Sequence, residues 1–410
     1  MYKLFLLLSV IILIETYVYF GLNSTLSGVS SAVFKAAYWL GLTITVVTLF
    51  MMFYYFPVLK GKSNWLTNNI IGLMMGFITG KMVLLLVLFG EDIFRGTKYL
   101  METIFNQTSH EPVSLDSRRK FVAQIGIGLA ALPFISLIYG VIKGRYDFRV
   151  HKITLKSKDI PKAFDGFKIA QFSDLHSGSF EDESGITKGM NLLQAQNPDM
   201  ILFTGDLVNN HAHEIEPYIS IFSNVKAPYG KFSVMGNHDY GKYVYWNSEK
   251  EEKDNVRQIR NHHHAMGFDL LENSNRLIEK DGETIRLLGV ENWGNPPFPQ
   301  YGDLNKAIEN TEENEFTILM SHDPDHWEEK TLKHKKKIHL TLAGHTHGSQ
   351  FGIEIPGFKW SPVQYKYKRW AGLYEKMDQF LYVNRGFGFL GYPGRVGIWP
   401  EITIIELKAT

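Results

Sequence analysis

Four long apolar runs crowd the first 142 residues and dictate what this part of the chain can become. They cover residues 4–20, 32–56, 70–90 and 121–142. A helix needs about 20 apolar residues to cross the hydrocarbon core of a bilayer. The last three runs reach that length and the first falls slightly short. The first has the position of a signal peptide. No small-residue cleavage site follows it, and three more apolar runs do, so it reads as a retained helix. Residues 1–142 therefore read as an α-helical membrane anchor of about four transmembrane helices. Two charges, Glu15 and Lys81, lie inside these runs. Each is costly in hydrocarbon unless it faces the bundle interior or reaches an interface, and their opposite signs allow a pair. Gly72, Gly76 and Gly80 recur every four residues, a spacing that lets a second helix approach closely.

After Gly144 the apolar runs shorten and turn residues appear. Residues 143–164 read as a linker and first strand, and 165–410 as a soluble α/β domain. Short apolar stretches at 167–176, 199–209, 231–240, 285–292, 316–323, 339–347, 379–387 and 401–407 read as buried strands. Stretches such as 184–196 and 304–312 read as helices between them. The chain holds 43 Lys+Arg against 42 Asp+Glu, which excludes a strongly basic nucleic-acid binder. It has no cysteine, so disulfides, thiolate zinc sites and a cysteine nucleophile are excluded too.

Most of these strands end in one kind of chemistry. The clusters are Asp174-x-His176, Gly205-Asp206, Gly236-Asn237-His238-Asp239, His322 and Gly344-His345-Thr346-His347. In packed α/β sheets, ligands bind where strand ends run into loops. Carboxylate, carboxamide and imidazole donors without thiolate suit Mn, Fe(II) or Zn. So many groups exceed the needs of one ion. Two divalent ions sharing a carboxylate use them all, and such a pair clamps a phosphoryl group and lowers the pKa of water between the ions.

The order D-x-H, G-D, G-N-H-D, H, G-H-T-H resembles the calcineurin-like metallophosphoesterases over residues 165–408. The resemblance implies a β-sandwich flanked by helices and a dinuclear centre. It implies Asp174, His176, Asp206 and His347 around one ion and Asp206, Asn237, His322 and His345 around the other. It assigns His238 to catalysis, protonating the leaving oxygen or stabilising the transition state. One departure stands at Asn209, where family protein phosphatases carry the Asp that orients this histidine. That points to the phosphodiesterase and pyrophosphatase branches.

Within the family the chain resembles the bacterial membrane-associated branch. That branch holds hydrolases of UDP-2,3-diacylglucosamine in lipid A synthesis and twin-arginine-exported cell-wall phosphoesterases. The tails His345-Thr346-His347-Gly348-Ser349-Gln350 and Asn384-Arg385-Gly386 fit it, although Ser349 stands where Gly is usual. The run Ser117-Arg118-Arg119-Lys120-Phe121-Val122 resembles a twin-arginine signal before the fourth apolar run. The expectation is a bacterial inner-membrane enzyme with an extracytoplasmic catalytic domain, acting on a phosphodiester or pyrophosphate of a lipid or envelope substrate. The alternatives are a cytoplasmic-face UDP-2,3-diacylglucosamine pyrophosphatase and a non-catalytic metal-binding envelope module. Three further expectations concern single features. Asn209, Arg385 and Arg395 are candidates for substrate contact, the two arginines by gripping a phosphate oxygen. Residues 356–374 mix aromatics with Lys366, Lys368 and Arg369, as membrane-interface segments do. His262, His263 and His264 follow a charged helical stretch and read as surface histidines.

Overall fold

In the computed structural model, residues 2–23, 29–50, 65–105 and 115–410 are described. The chain divides into two compact units, one reaching Ile142 and the other running from Lys143 to Thr410.

The first unit is helical: α1 (Tyr2–Asn23), α2 (Val29–Phe50), α3 (Trp65–Ile104) and α4 (Leu115–Ile142). The end of the second apolar run, 51–56, lies outside the described residues. Helix α3 and residues 118–142 of α4 are long and apolar enough to cross a membrane, and the shorter described apolar helical stretches are 9–23 and 38–47. The three spaced glycines serve α3 and α4 of this chain. A Cβ on Gly72 would stand 2.6 Å from Val141, and one on Gly76 would stand 3.1 Å from Phe134. The two intramembrane charges do pair. Lys81 Nζ lies 2.5 Å from Glu15 Oε1, and Tyr38 donates from its hydroxyl to Glu15 Oε2, also at 2.5 Å. The buried carboxylate thus has two donors and ties α1, α2 and α3 together.

Helix α3 continues well past its apolar run. Its extension carries Glu91, Asp92, Arg95 and Lys98, all helical. Arg95 pairs with Asp92, and Lys98 with Glu102 at 3.5 Å. Helix α4 likewise begins before the basic run. Arg118 sits within it, 3.4 Å from Glu91 and stacked 4.4 Å over the ring of Phe94.

The second unit is a sandwich of two mixed six-stranded sheets. Its strands are β1 (Arg149–Ser157), β2 (Lys168–Phe172), β3 (Met200–Phe203), β4 (Lys231–Ser233), β5 (Asp269–Leu270), β6 (Ser274–Lys280), β7 (Glu283–Gly289), β8 (Thr317–Met320) and β9 (Leu340–Ala343). After these come β10 (Ile353–Ile355), β11 (Phe358–Trp360), β12 (Gly372–Lys376), β13 (Gln379–Val383) and β14 (Glu401–Ala409). One sheet has the order β1-β14-β2-β3-β4-β5, the other β12-β13-β9-β8-β7-β6, and β10 and β11 stand apart as a ribbon. Strand β1 lies parallel to β14 from Arg149↔Glu401 to Ser157↔Ala409, joining the start of the unit to its end.

The strands are apolar on both faces because both faces are covered. Ile169, Met200 and Leu202 point between the sheets, against Ile318, Leu340 and Leu342. Ala170, Ile201 and Phe203 point outward, under α5 (Glu183–Gln194), α6 (Ile219–Asn224) and α7 (Glu249–Ala265). Where 304–312 promised a helix, one turn forms at Leu304–Ala307. The central strands of both sheets run parallel, so their carboxyl ends lie along one edge.

Candidate metal centre

Strand β2 delivers Asp174 and His176, β3 delivers Asp206, β4 delivers Asn237 and His238, β8 delivers His322, and β9 delivers His345 and His347. The loops are stitched to one another by their backbones. Asp174 donates its N–H to Gly205 O at 2.9 Å, and Gly344 donates to His322 O at 2.9 Å. Five of these residues take left-handed backbone: Asp174, His176, Asp206, His345 and His347 have φ between 48° and 71°. Such positions cost about 1–3 kcal/mol each and persist only where the surroundings over-determine them. Here they turn each side chain back over the strand ends. Gly236 and Gly344 are needed for closeness, since a Cβ on either would collide with the carboxylate of Asp206 or Asp174 respectively.

The donors form two groups around one carboxylate. His176 Nε2 and His347 Nε2 lie 2.9 Å apart, and His347 Nε2 is 3.2 Å from Asp174 Oδ1. His345 Nδ1 is 2.9 Å from Asn237 Oδ1 and 3.3 Å from His322 Nε2. Asp206 Oδ2 stands between them, 3.4 Å from His176 Nε2 and 3.2 Å from His322 Nε2. Asp174, His176 and His347 form one group, and Asp206, His322 and His345 another, with the donor atoms of each within 4.8 Å of one another.

The electrostatics fit cations. Burial, then the charge of His322, pushes His345 down to about 3. Burial also drives His176 well below its usual value. Both are therefore neutral imidazoles, the form that binds metal. Burial opposes the ionisation of Asp174 and Asp206. The histidines around them prevail and hold both carboxyls low, so both stay anionic. Burial also opposes charge on His322, yet the adjoining Asp206 raises it to about 10, so His322 gives up its Nε2 proton before that nitrogen can bind a cation. Imidazoles with converging nitrogens and buried anionic oxygens form a donor set that accepts divalent ions of the Mn, Fe or Zn kind.

Groups behind the ligands aim them. His322 Nδ1 donates to Thr204 O at 2.8 Å, leaving Nε2 for the centre. His345 Nε2 is 2.7 Å from the Tyr367 hydroxyl and 3.5 Å from Asp323 Oδ2. Asn237 Nδ2 donates to the Tyr243 hydroxyl at 2.8 Å. Asp239 accepts from four backbone N–H groups, those of Asp206, Leu207, Val208 and Gly236. From the sequence Asp239 was named only as the end of its cluster, and Asp239, Asp323, Tyr243 and Tyr367 were given no role in the site. The first two stand directly beside assigned residues, the one signal that pointed to them.

His238 sits at the rim, partly exposed, with its N–H held by Asp206 Oδ1 at 2.9 Å. Its Nδ1 lies 2.8 Å from the main-chain oxygen of Asn209. Asn209 thus orients the histidine through its backbone, and its side chain instead meets Ser179 Oγ at 3.1 Å.

Two expectations fail here. Arg385 and Arg395 do not reach toward a phosphate site. Arg385 is forked onto Glu354, at 2.8 Å from Oε2, and bound to Glu401 at 2.6 Å. Arg395 is wholly buried and donates to Arg385 O at 2.8 Å and Gly388 O at 2.9 Å. Both guanidiniums are consumed in holding the 385–395 loop behind His347. His263 is no surface residue either. It is buried under β4, with Nδ1 at 2.9 Å from Ser233 Oγ, while His264 is exposed.

Residues 167–349 match the family of calcineurin-like phosphoesterases. The chain belongs to that family. Residues 2–145 match a second description, probable calcineurin-like phosphoesterase, transmembrane domain. The metallophosphoesterase YkuE of Bacillus subtilis is 32% identical over 264 residues, 63% of this chain and 84% of that one. A transmembrane protein with metallophosphoesterase domain from Danio rerio is 25% identical over 311 residues, 74% of this chain and 66% of that protein. The phosphodiesterase YaeI of Escherichia coli is 27% identical over 300 residues, 71% of this chain and 99% of that one. This metallophosphoesterase is thus a membrane protein with a transmembrane domain and a hydrolase domain.

Proposed function

We propose that the enzyme cleaves phosphodiester or pyrophosphate bonds of a lipid-linked or cell-envelope substrate. The observation that carries this reading is the pair of donor groups sharing Asp206, with His238 poised at their rim. Asp174, His176 and His347 with Asp206 would hold one ion. Asn237, His322 and His345 with Asp206 would hold the second. Divalent ions bound there neutralise phosphoryl charge and lower the pKa of water.

The chain's own residues supply the rest. Asn209 O accepts a hydrogen bond from His238 Nδ1–H, which leaves Nε2 to serve the leaving oxygen. A carbonyl steadies an imidazolium less than a carboxylate does, which suits diester and anhydride leaving groups. The name of the Escherichia coli relative, a phosphodiesterase, agrees with this substrate class. We place the catalytic domain on the extracytoplasmic side of a bacterial inner membrane on the strength of the basic run at 117–122. Protease protection in oriented vesicles tests that side, and a protected domain in right-side-out vesicles reverses it.

The test of function is hydrolysis of bis-p-nitrophenyl phosphate by the full chain in detergent with Mn²⁺. Turnover is expected to vanish on chelation and in Asp206→Asn. His238→Ala should lower kcat by about 10²–10⁴ while metal still binds. A folded, metal-loaded chain that turns over neither diesters nor pyrophosphates refutes the proposal.

A further inference from the structure

The ribbon of β10 and β11 is built inside out. Its register pairs Ile353 with Trp360, Glu354 with Lys359, and Ile355 with Phe358. Alternation therefore puts Ile353, Ile355, Phe358 and Trp360 on one face and the two charged residues on the other. In an ordinary half-buried ribbon the apolar face packs inward. Here the charged face makes the inward contacts, although Lys359 itself stays exposed and Trp360 is half-buried. Glu354 receives the fork of Arg385, and Lys359 donates to Ala371 O and lies 5.0 Å over the Trp370 ring. The apolar face is turned out, with Ile353 49%, Ile355 58% and Phe358 52% exposed. Tyr365, a few residues on, is 81% exposed. Lys366 and Lys368 are exposed beside it.

This surface is fastened to the metal centre. Ser361 Oγ, just past β11, donates to Gly348 O at 2.7 Å, next to His347. Tyr367 reaches His345 Nε2 at 2.7 Å. An apolar knob ringed by lysines and aromatics fits the boundary of an anionic bilayer, where rings and lysines settle at the headgroups. A bilayer is also the surface this chain always has at hand. Its last apolar helix ends at Ile142, and the catalytic unit begins at the next residue.

We propose that the 353–360 ribbon, with Tyr365, Lys366 and Lys368, dips into the headgroup layer of an anionic membrane and presents the metal centre to a phosphoester borne by a lipid. The inference rests on the phosphoesterase reading for its substrate and on the ribbon alone for its membrane contact. The two parts can be tested separately.

The chain has no cysteine, so single cysteines can be labelled without background. A nitroxide is placed at Phe358→Cys, and at Lys250→Cys on the exposed start of α7 as reference. The full chain is reconstituted in vesicles of phosphatidylglycerol and phosphatidylcholine. The label at 358 should be more accessible to oxygen than to an aqueous nickel chelate, with the order reversed at 250. An aqueous reading at both positions overturns the proposal. So does a label at 358 shielded from both reagents, which would mean that a second copy or another segment of the chain covers the ribbon. The label reports depth without any turnover, so failure of the hydrolase reading leaves this result standing. In a second experiment, Ile355→Asp with Phe358→Asp should lower turnover of a vesicle-borne nitrophenyl lipid phosphodiester about tenfold or more, the value of one buried apolar side chain. Hydrolysis of soluble bis-p-nitrophenyl phosphate should not change. Equal loss on both substrates, or no loss on either, overturns the presentation role.

Discussion

Replacing Asp239 by Asn tests how the centre is held, because the change alters one atom and little volume. In the structure Oδ1 accepts from Leu207 N at 2.8 Å and Val208 N at 3.3 Å. Oδ2 accepts from Asp206 N at 3.0 Å and Gly236 N at 2.8 Å. A carboxamide keeps one acceptor edge and turns an NH₂ donor toward the other two N–H groups. Two buried donors then lose their acceptor, at about 1–3 kcal/mol each, or about 2–6 kcal/mol together. Removing a carboxylate beside Asp206 offsets part of this, since burial and then the Asp206 charge push Asp239 up to about 7. The orphaned groups flank the Asp206 ligand and the Asn237-His238 turn, so the ligand loops shift. A displacement of about 1 Å at a reacting centre costs about 100-fold in rate. The expected result is a lowered Tm and a kcat reduced about 100-fold, with KM little changed. The assay is steady-state diesterase kinetics of the full chain with Mn²⁺, with circular dichroism at the assay temperature to show that the variant is folded. An Asp239→Asn enzyme with wild-type Tm and kcat refutes the argument that these four bonds position the centre.

Two further outcomes follow from buried groups elsewhere. Burial, then the neighbouring histidines, pushes His263 down to about 3, whereas in the unfolded chain it titrates near its ordinary value. The unfolded state therefore binds the extra proton. Stability is full above about pH 6.5 and is lost toward pH 3 at up to about 1.4 kcal/mol per pH unit. His263→Phe should flatten the fall of Tm between pH 6.5 and 4.5, and an unchanged slope would refute this origin. In the membrane unit, Lys81→Met leaves buried Glu15 without its cation, with the Tyr38 hydroxyl still donating to it, and should cost about 3–5 kcal/mol in thermal stability in detergent. Adding Glu15→Gln should recover part of that loss, and equal stability of the single variant and wild type would show that the pair contributes nothing.

The gathering of donor residues was legible because each polar cluster follows an apolar run, and parallel strands carry such clusters to one edge. Asp174 through His347 came together on that basis. The bundle was legible from run length, and the glycine spacing from helix geometry. Contacts far apart in the chain were not legible. Arg385 and Arg395 lie in a glycine-rich stretch that reads as an open loop; the partners of Arg385, Glu354 and Glu401, lie at a distance in sequence, and those of Arg395 are main-chain oxygens. His263 was misread although Ile259, four residues before it and also buried, marks the inward face of α7. The roles of Asn209 and Asp239 run through backbone groups, which side-chain identity does not announce.

The central claim is a centre of two divalent ions sharing Asp206. Counting metal per chain by mass spectrometry, on full-length enzyme titrated with Mn²⁺ while diester turnover is followed, tests it most directly. The account predicts that turnover saturates at two ions per chain and that Asp206→Asn neither retains both ions nor turns over. Full turnover with a single ion per chain, or turnover that survives complete removal of metal, would contradict it.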